Sequence, residues 1–375
     1  MKKTIIGIVL AGLLIVLTAC AQSNKMEASM SSAPSAFTEK TGQTMTPATL
    51  KNLKTDQSVD LAANAKSALP ELTVKYKPFD EQKVLSSLMP GVSIKDMKVT
   101  PCEFSNGMKY NDYSRSTAGD YISIGYKLSY RTRNGAFYQK YAPGKNEDTK
   151  FKKNGELSFD LSANALEKVK SMLSQIGIEN VSLKNMYAMD YQTLSAMEQT
   201  YSKTEGFENE LKAGREIYKG NWSKEDDCYF FILRQELGGL PVYEDNYLAS
   251  ENDIINGTEI YVYYTQKGIE ALDTNAVYEK LSAQNEAAVL SASDALKLID
   301  AKYSDIILTS EATVTRMELM YVPTSAEETT QMLPAWRFSL AQDVTWESEA
   351  GMVTDHNTTD YYFNAFDGTE LLCAQ

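Results

Sequence analysis

Two stretches of this chain end in the same pattern, and that repetition constrains the fold more than any other feature. Thr258-Glu259-Ile260-Tyr261-Val262-Tyr263-Tyr264 runs on to Gly268 and Leu272. Thr359-Asp360-Tyr361-Tyr362-Phe363-Asn364-Ala365-Phe366 runs on to Gly368 and Leu372. Each is a threonine and an acid, an aromatic strand, a glycine turn and an apolar return. Helical spacing stands ahead of both. Over 162–176 the apolar positions are Ala165, Leu166, Val169, Met172, Leu173 and Ile176; over 291–303 they are Ala295, Leu296, Ile299 and Tyr303. Ser162 and Ser291 stand where an N-cap is expected. Between helix and ending, 227–234 reads as a strand and 238–242 as a turn; 314–322 and 333–340 read as strands. The pattern predicts two similar units, 156–280 and 281–375, each a helix laid across a curved antiparallel sheet so that both bury one face. The expected fold class is α+β. In 333–340, alternation puts Trp336, Phe338 and Leu340 on one face and Ala335, Arg337 and Ser339 on the other. The wholly apolar set is expected under helix 291–303.

A smaller, mainly antiparallel β-rich unit is expected over 69–155, with a helix near 81–88. The run 121–130 reads as one long strand, which Asn134-Gly135 would turn toward 136–141. Asn106-Gly107, Asn154-Gly155 and Asn256-Gly257 are further candidates for tight turns, because both residues tolerate positive φ. Residues 20–68 are rich in Ser, Thr, Ala, Gln and Met, with bulky apolar residues sparse: Phe37, Leu50, Leu53, Val59 and Leu61. So little apolar surface does not offset chain entropy, and a flexible tether is expected there.

The N-terminus carries an address. Lys2 and Lys3 precede a short apolar run, 5–17. It is too short to span a bilayer, which takes roughly twenty residues, and fits a secretory signal peptide over 1–19. Leu17-Thr18-Ala19-Cys20 resembles the bacterial lipobox. The resemblance implies cleavage before Cys20, lipid on its thiol, and anchorage on the outer face of the cytoplasmic membrane. Two acyl chains anchor stably where one is marginal.

The last segment resembles known extracytoplasmic regulators. Leu333-Pro334-Ala335-Trp336-Arg337, followed by Tyr361-Tyr362-Phe363-Asn364-Ala365-Phe366-Asp367-Gly368, looks like the end of YycH/YycI-type regulators and is similar to PepSY-like domains. Arg234 with Gly239-Leu240-Pro241-Val242 resembles the middle of the preceding unit. The match covers roughly 158–372. It implies a helix followed by an antiparallel sheet, and action by contact with other proteins. The chain departs from those regulators in its start, where a cleavable signal and a lipid replace their transmembrane helix. A Gram-positive lipoprotein family is the expected setting.

Composition and motifs narrow the chemistry. The net charge is −13, from 37 basic and 50 acidic side chains. An acidic surface repels nucleic acid, so no nucleic-acid partner is expected. Cys102, Cys228 and Cys373 remain once Cys20 is assigned; at most one pair can join, and spacing does not say whether any does. With one histidine, His356, in an expected polar loop, and no CxxC pair, neither a catalytic triad nor a transition-metal site is expected. The stretches 253–257 and 355–360 offer oxygens without the alternation of a calcium loop. Asp226-Asp227 and Glu327-Glu328 could serve a glycosidase, but solvated charge is the simpler reading. Tyr261, Tyr263 and Tyr264 are expected to pack rather than to stack on a ligand. No cofactor is expected. The expected function is a membrane-anchored, non-enzymatic binding or regulatory protein with an envelope protein as partner, its oligomeric state open. The alternative is an envelope hydrolase or carbohydrate-binding lipoprotein using carboxylates.

Overall fold

The computed structural model describes residues 50, 53–56, 67–103, 109–117, 119–144, 149–248, 254–304, 310–325, 327–348 and 351–374. The expected signal peptide 1–19, Cys20, most of the expected tether and Asn106-Gly107 lie outside the described residues. In chain order come β1 (Leu53–Thr55), β2 (Ala68–Tyr76), α1 (Glu81–Leu88), β3 (Lys98–Glu103), β4 (Lys109–Thr117), β5 (Asp120–Ile124), β6 (Leu128–Arg131), α2 (Arg133–Tyr141) and β7 (Lys152–Lys153). Then follow α3 (Ser162–Gln175), β8 (Val181–Met189), α4 (Tyr191–Tyr201), α5 (Phe207–Lys212), β9 (Cys228–Leu237), β10 (Leu240–Pro241), β11 (Tyr247–Leu248), β12 (Ile254–Ile255), β13 (Glu259–Thr265) and β14 (Gly268–Thr274). Last are β15 (Tyr278–Ala288), α6 (Ala292–Ser304), β16 (Ala312–Pro323), β17 (Thr329–Ser348), β18 (Gly351–Asn364) and β19 (Glu370–Ala374).

The class is α+β, with two large sheets that are antiparallel throughout except where β1 runs parallel to β16. One sheet runs β3-β4-β5-β6-β14-β13-β9-β8-β7, with β10 folded back on β9. The other runs β1-β16-β17-β18-β19, and β2 links the start of β17 to β15. The repeat seen in the sequence is a repeat of topology. After α3, the strands β8, β9, β13 and β14 lie side by side in chain order; after α6, the strands β16, β17, β18 and β19 do the same. Ala165, Val169 and Leu173 of α3 share a core with Tyr229, Phe231, Leu233, Ile260 and Val262. Ala295, Leu296 and Ile299 of α6 share a core with Trp336, Phe338, Leu340, Tyr361 and Phe363. Trp336 is buried as alternation predicts, and its indole N–H donates to the Leu290 carbonyl at 3.0 Å.

The strands of 69–155 form, and pairing carries them into the two sheets. β6 extends the first sheet, with Tyr130 opposite Leu272; β2 pairs with β15 and β17 in the second. The expected helix over 81–88 is α1, capped by Asp80, whose carboxylate accepts from the Lys83 N–H at 3.0 Å.

Several local expectations need correcting. Asn134-Gly135 lies inside α2 rather than in a turn. Gly135 is required by close approach: a Cβ there would sit 2.1 Å from the Glu270 carbonyl oxygen on β14. The run 121–130 breaks at 125–127 into the β5–β6 hairpin, with Ile124 opposite Leu128. Ser162 is the first residue of α3 and not its cap; its N–H and hydroxyl donate to the Glu156 carboxylate at 2.7 and 2.5 Å. Ser291 does cap α6, accepting from the Asp294 N–H at 3.1 Å. Asn154 turns at φ 53° as expected. Within the expected tether, Leu53–Thr55 is β1, and Leu53 is buried in the core with α6. Leu50 packs against the same core and the backbone pairs with the edge of β16, an arrangement that a count of apolar residues misses.

Candidate functional site

Strand alternation decides where the two arginines of the repeated motif go. In β9, Phe231 and Leu233 face α3, so Arg234 faces away; in β17, Trp336 and Phe338 face α6, so Arg337 faces away. Both arginines reach one buried charge cluster, and at its centre is Glu244, fully shielded from solvent. Its Oε1 accepts from Arg337 Nη1 at 2.5 Å and lies 3.0 Å from Lys184 Nζ. Arg234 and Arg316 stand 3.7 and 3.8 Å from the same carboxylate. Arg234 forks onto Glu318 at 3.0 and 2.9 Å, and Arg316 pairs with Glu318 at 2.7 Å. Arg337 Nη2 donates to Asp360 at 2.5 Å, and Lys184 reaches Glu259 at 3.1 Å. Four cations thus meet four carboxylates, drawn from both repeats.

The chain between β9 and β13 delivers Glu244. Gly238 and Gly239, at φ 58° and 76°, turn β10 back onto β9. Leu240, Val242 and Tyr243 follow, all fully buried. The Tyr243 N–H donates to the Tyr321 carbonyl at 2.8 Å, tying this connection to β16. Asn256-Gly257, expected as a tight turn, instead packs against this segment. A Cβ on Gly257 would sit 1.9 Å from the Glu244 carbonyl oxygen. Burial alone would raise the Glu244 carboxyl; Arg337, then Lys184, Arg234 and Arg316, outweigh it and hold the group well below the ordinary carboxylate range. Burial likewise opposes ionisation of Glu318, and the Arg234 fork leads the opposing effects that lower it. Each carboxylate is matched by a cation at close range. The cluster is largely buried and bridges the two repeats, and among the described residues Glu244 Oε2, Asp360 Oδ1 and the Nε atoms of Arg234 and Arg337 make no hydrogen bond.

The open feature lies at the far end of β17 and β18. β16 stops pairing with β17 at Gln342, and β19 stops pairing with β18 at Asp360. Beyond these points, among the described residues, the two strands pair only with each other, as far as Ser348 opposite Gly351. One face of this ribbon carries Val344 opposite Asp355 and Trp346 opposite Val353; the other carries Asp343 opposite His356, Thr345 opposite Thr354 and Glu347 opposite Met352. Trp346 is 43% exposed and Met352 is 69% exposed. From 338 to 375 the sequence has seven acids and neither lysine nor arginine: Asp343, Glu347, Glu349, Asp355, Asp360, Asp367 and Glu370.

The residues singled out from sequence are scattered. His356 is exposed as expected but sits in β18 rather than a loop, its Nδ1 2.6 Å from Asp343 Oδ1. Both side chains of that pair are exposed. The stretch 355–360 is strand, and Asp253 lies outside the described residues. Asp226 and Asp227 are buried, which corrects the expectation of solvated charge. Asp226 accepts from the Ser223 N–H at 2.8 Å and pairs with Lys219 at 2.6 Å; Asp227 accepts from the Tyr191 N–H at 2.9 Å at the start of α4. Burial raises the Asp227 carboxyl despite that hydrogen bond. Glu327 and Glu328 are exposed. Tyr263 and Tyr264 are buried and pack, Tyr263 stacking on Phe230 at 4.5 Å between ring centroids. Cys102 and Cys228 carry free thiols. Among the described residues, no group of three or more His, Cys, Asp or Glu is placed to hold a metal ion.

No protein-family model matches the chain, and no curated protein matches it. A crystal structure of an uncharacterized protein from Eubacterium rectale is similar in fold. It is 18% identical, with a TM-score of 0.59 over 82% of this chain and 87% of that one. The C-terminal domain of YpeB from Bacillus megaterium is a far looser match, 10% identical with a TM-score of 0.29 over 78% of this chain and 94% of that one.

Proposed function

We propose that this chain is a lipid-anchored extracytoplasmic protein that works by binding another protein of the cell envelope, without turnover of its own. The observation that carries the proposal is the two-stranded ribbon of β17 and β18, which holds an exposed tryptophan beyond the reach of β16 and β19. An isolated two-stranded hairpin is marginally stable in water, and tryptophan is enriched where partners meet. A ribbon of this kind gains most when a partner covers it. The carboxylate pair Asp226-Asp227, offered for hydrolysis, is committed to a turn and a helix start. The helix-plus-meander repeat, with Arg234 and Arg337 at matching places, supports kinship with the YycH/YycI-type and PepSY-like proteins that act by contact. Lipid on Cys20 would hold the folded part beside the membrane and raise its effective concentration toward membrane partners.

Two experiments test this. Replacing Cys20 with Ala should abolish lipid labelling and release the protein from the membrane fraction; retained label would remove the anchor from the proposal. A photo-crosslinking residue at position 346 should capture one envelope protein in intact cells, where the same probe at exposed Leu211 does not. Carboxylate-dependent turnover of a peptidoglycan, glycan or peptide substrate, with nothing captured, would favour a hydrolase.

A further inference from the structure

We infer that the partner of the ribbon is a basic, extended polypeptide segment that joins it as an added strand; this rests on the binding reading above. Three features of the ribbon point to that chemistry. The first is the edge. Past Gln342 on β17, over 343–348, no described strand covers the outward main-chain N–H and C=O groups. Such an edge accepts another strand through backbone hydrogen bonds.

The second is charge of one sign. Asp343, Glu347 and Asp355 are exposed along the ribbon, within the stretch that lacks lysine and arginine. Natural edges are commonly guarded by lysine; this one carries acid instead. Two ribbons pairing with each other would set like charges side by side, which disfavours a second copy. Anionic lipid headgroups would be repelled in the same way.

The third is the division of faces. Val344, Trp346 and Val353 stand on one face, with Asp355 at its inner end; Asp343 and Glu347 stand on the other, with His356 and Met352 opposite them. A strand alternates its side chains between faces. A segment in which apolar residues alternate with lysine or arginine therefore places its apolar side chains beside Trp346 and its cations beside the acids.

The test uses the full-length protein in detergent micelles and synthetic peptides as probes. Trp346 is the exposed one of the three tryptophans, so a change in emission on binding reports from the ribbon. A peptide of alternating lysine and valine should bind and shift that emission. Its affinity should fall about tenfold or more when salt is raised to about 0.5 M, as opposed charges become screened. The same peptide with glutamate for lysine, or N-methylated at alternate amides, should bind about tenfold more weakly or not at all. Asp343→Lys with Glu347→Lys should have the same effect without moving the unfolding midpoint. For Trp346→Ser, binding is followed through a label on the peptide and should weaken likewise.

Equal binding of the acidic peptide, or indifference to the charge reversals, overturns the proposal. So does attachment to phosphatidylglycerol vesicles, or concentration-dependent dimerisation, that Trp346→Ser abolishes; these assign the ribbon to lipid or to a second copy. If the lysine peptide fails while the probe at 346 still captures one protein in cells, the basic strand falls and the binding reading stands. If both fail, both fall.

Discussion

The two repeats differ most at one place, the connection between the second and third strands of the meander. In the first repeat the link from β9 to β13 turns back at Gly238-Gly239 and buries Leu240, Val242, Tyr243 and Glu244. In the second, β17 and β18 run on past the sheet and end as a two-stranded ribbon. The same topology thus gives one connection to the interior and the other to solvent. The cause is local. An apolar run after a tight glycine turn is stabilised by folding inward. The alternating Asp343-Val344-Thr345-Trp346-Glu347 cannot bury both faces and stays out. The difference suggests a division of labour, in which the inward link fixes the repeats to each other and the outward link is free to meet a partner.

Breaking the inward link should have the largest effect. Glu244→Ala leaves Arg337 and Lys184 without their shared carboxylate in a buried site, and removing one partner of a buried pair costs about 3–5 kcal/mol. Urea unfolding should show that loss with the slope unchanged. The next test strikes what the repeats share, the face beneath the helix. Trp336→Ala should cost about 3–5 kcal/mol, since the ring is buried and the cavity would not fully collapse. An unchanged thermal midpoint would place Trp336 outside the core.

Acid should sharpen the contrast. The folded state holds the carboxyls of Glu244 and Glu318 below their ordinary range. Their contribution is fully present above the unfolded carboxylate value, about 4.3, and is lost as pH falls through that value toward the folded ones. The melting temperature should hold between about pH 7 and pH 5 and drop below that. Glu318→Gln should start lower at neutral pH and fall less steeply in acid. The smallest effect belongs to the outward link: Trp346→Ala should stay within about 0.5 kcal/mol of the parent, as exposed substitutions do.

Much of the fold was legible in the sequence. The period of 162–176 and 291–303 marked both helices that cover the meanders, and alternation in 333–340 placed Trp336 beneath the second. The same alternation set Arg337 on the opposite face, but its partners Glu244 and Glu318 come from distant strands, and local pattern carries no sign of them. Asn134-Gly135 and Asn256-Gly257 misled for a related reason. Their glycines answer a neighbouring backbone, Glu270 in one case and Glu244 in the other, rather than a turn. The ribbon was missed because polar residues around His356 read as a loop, although Val344 and Trp346 alternate with acids as a strand would.

Hydrogen exchange on the isolated full-length protein tests the contrast between the two links most directly. The amides of Val242 and Tyr243, which donate to the Gln235 and Tyr321 carbonyls, should be protected to the level of global unfolding. The amides of 343–348 should exchange orders of magnitude faster, through local opening. Equal protection of the two segments would mean that the ribbon is already covered or locked, and would contradict a free outward link.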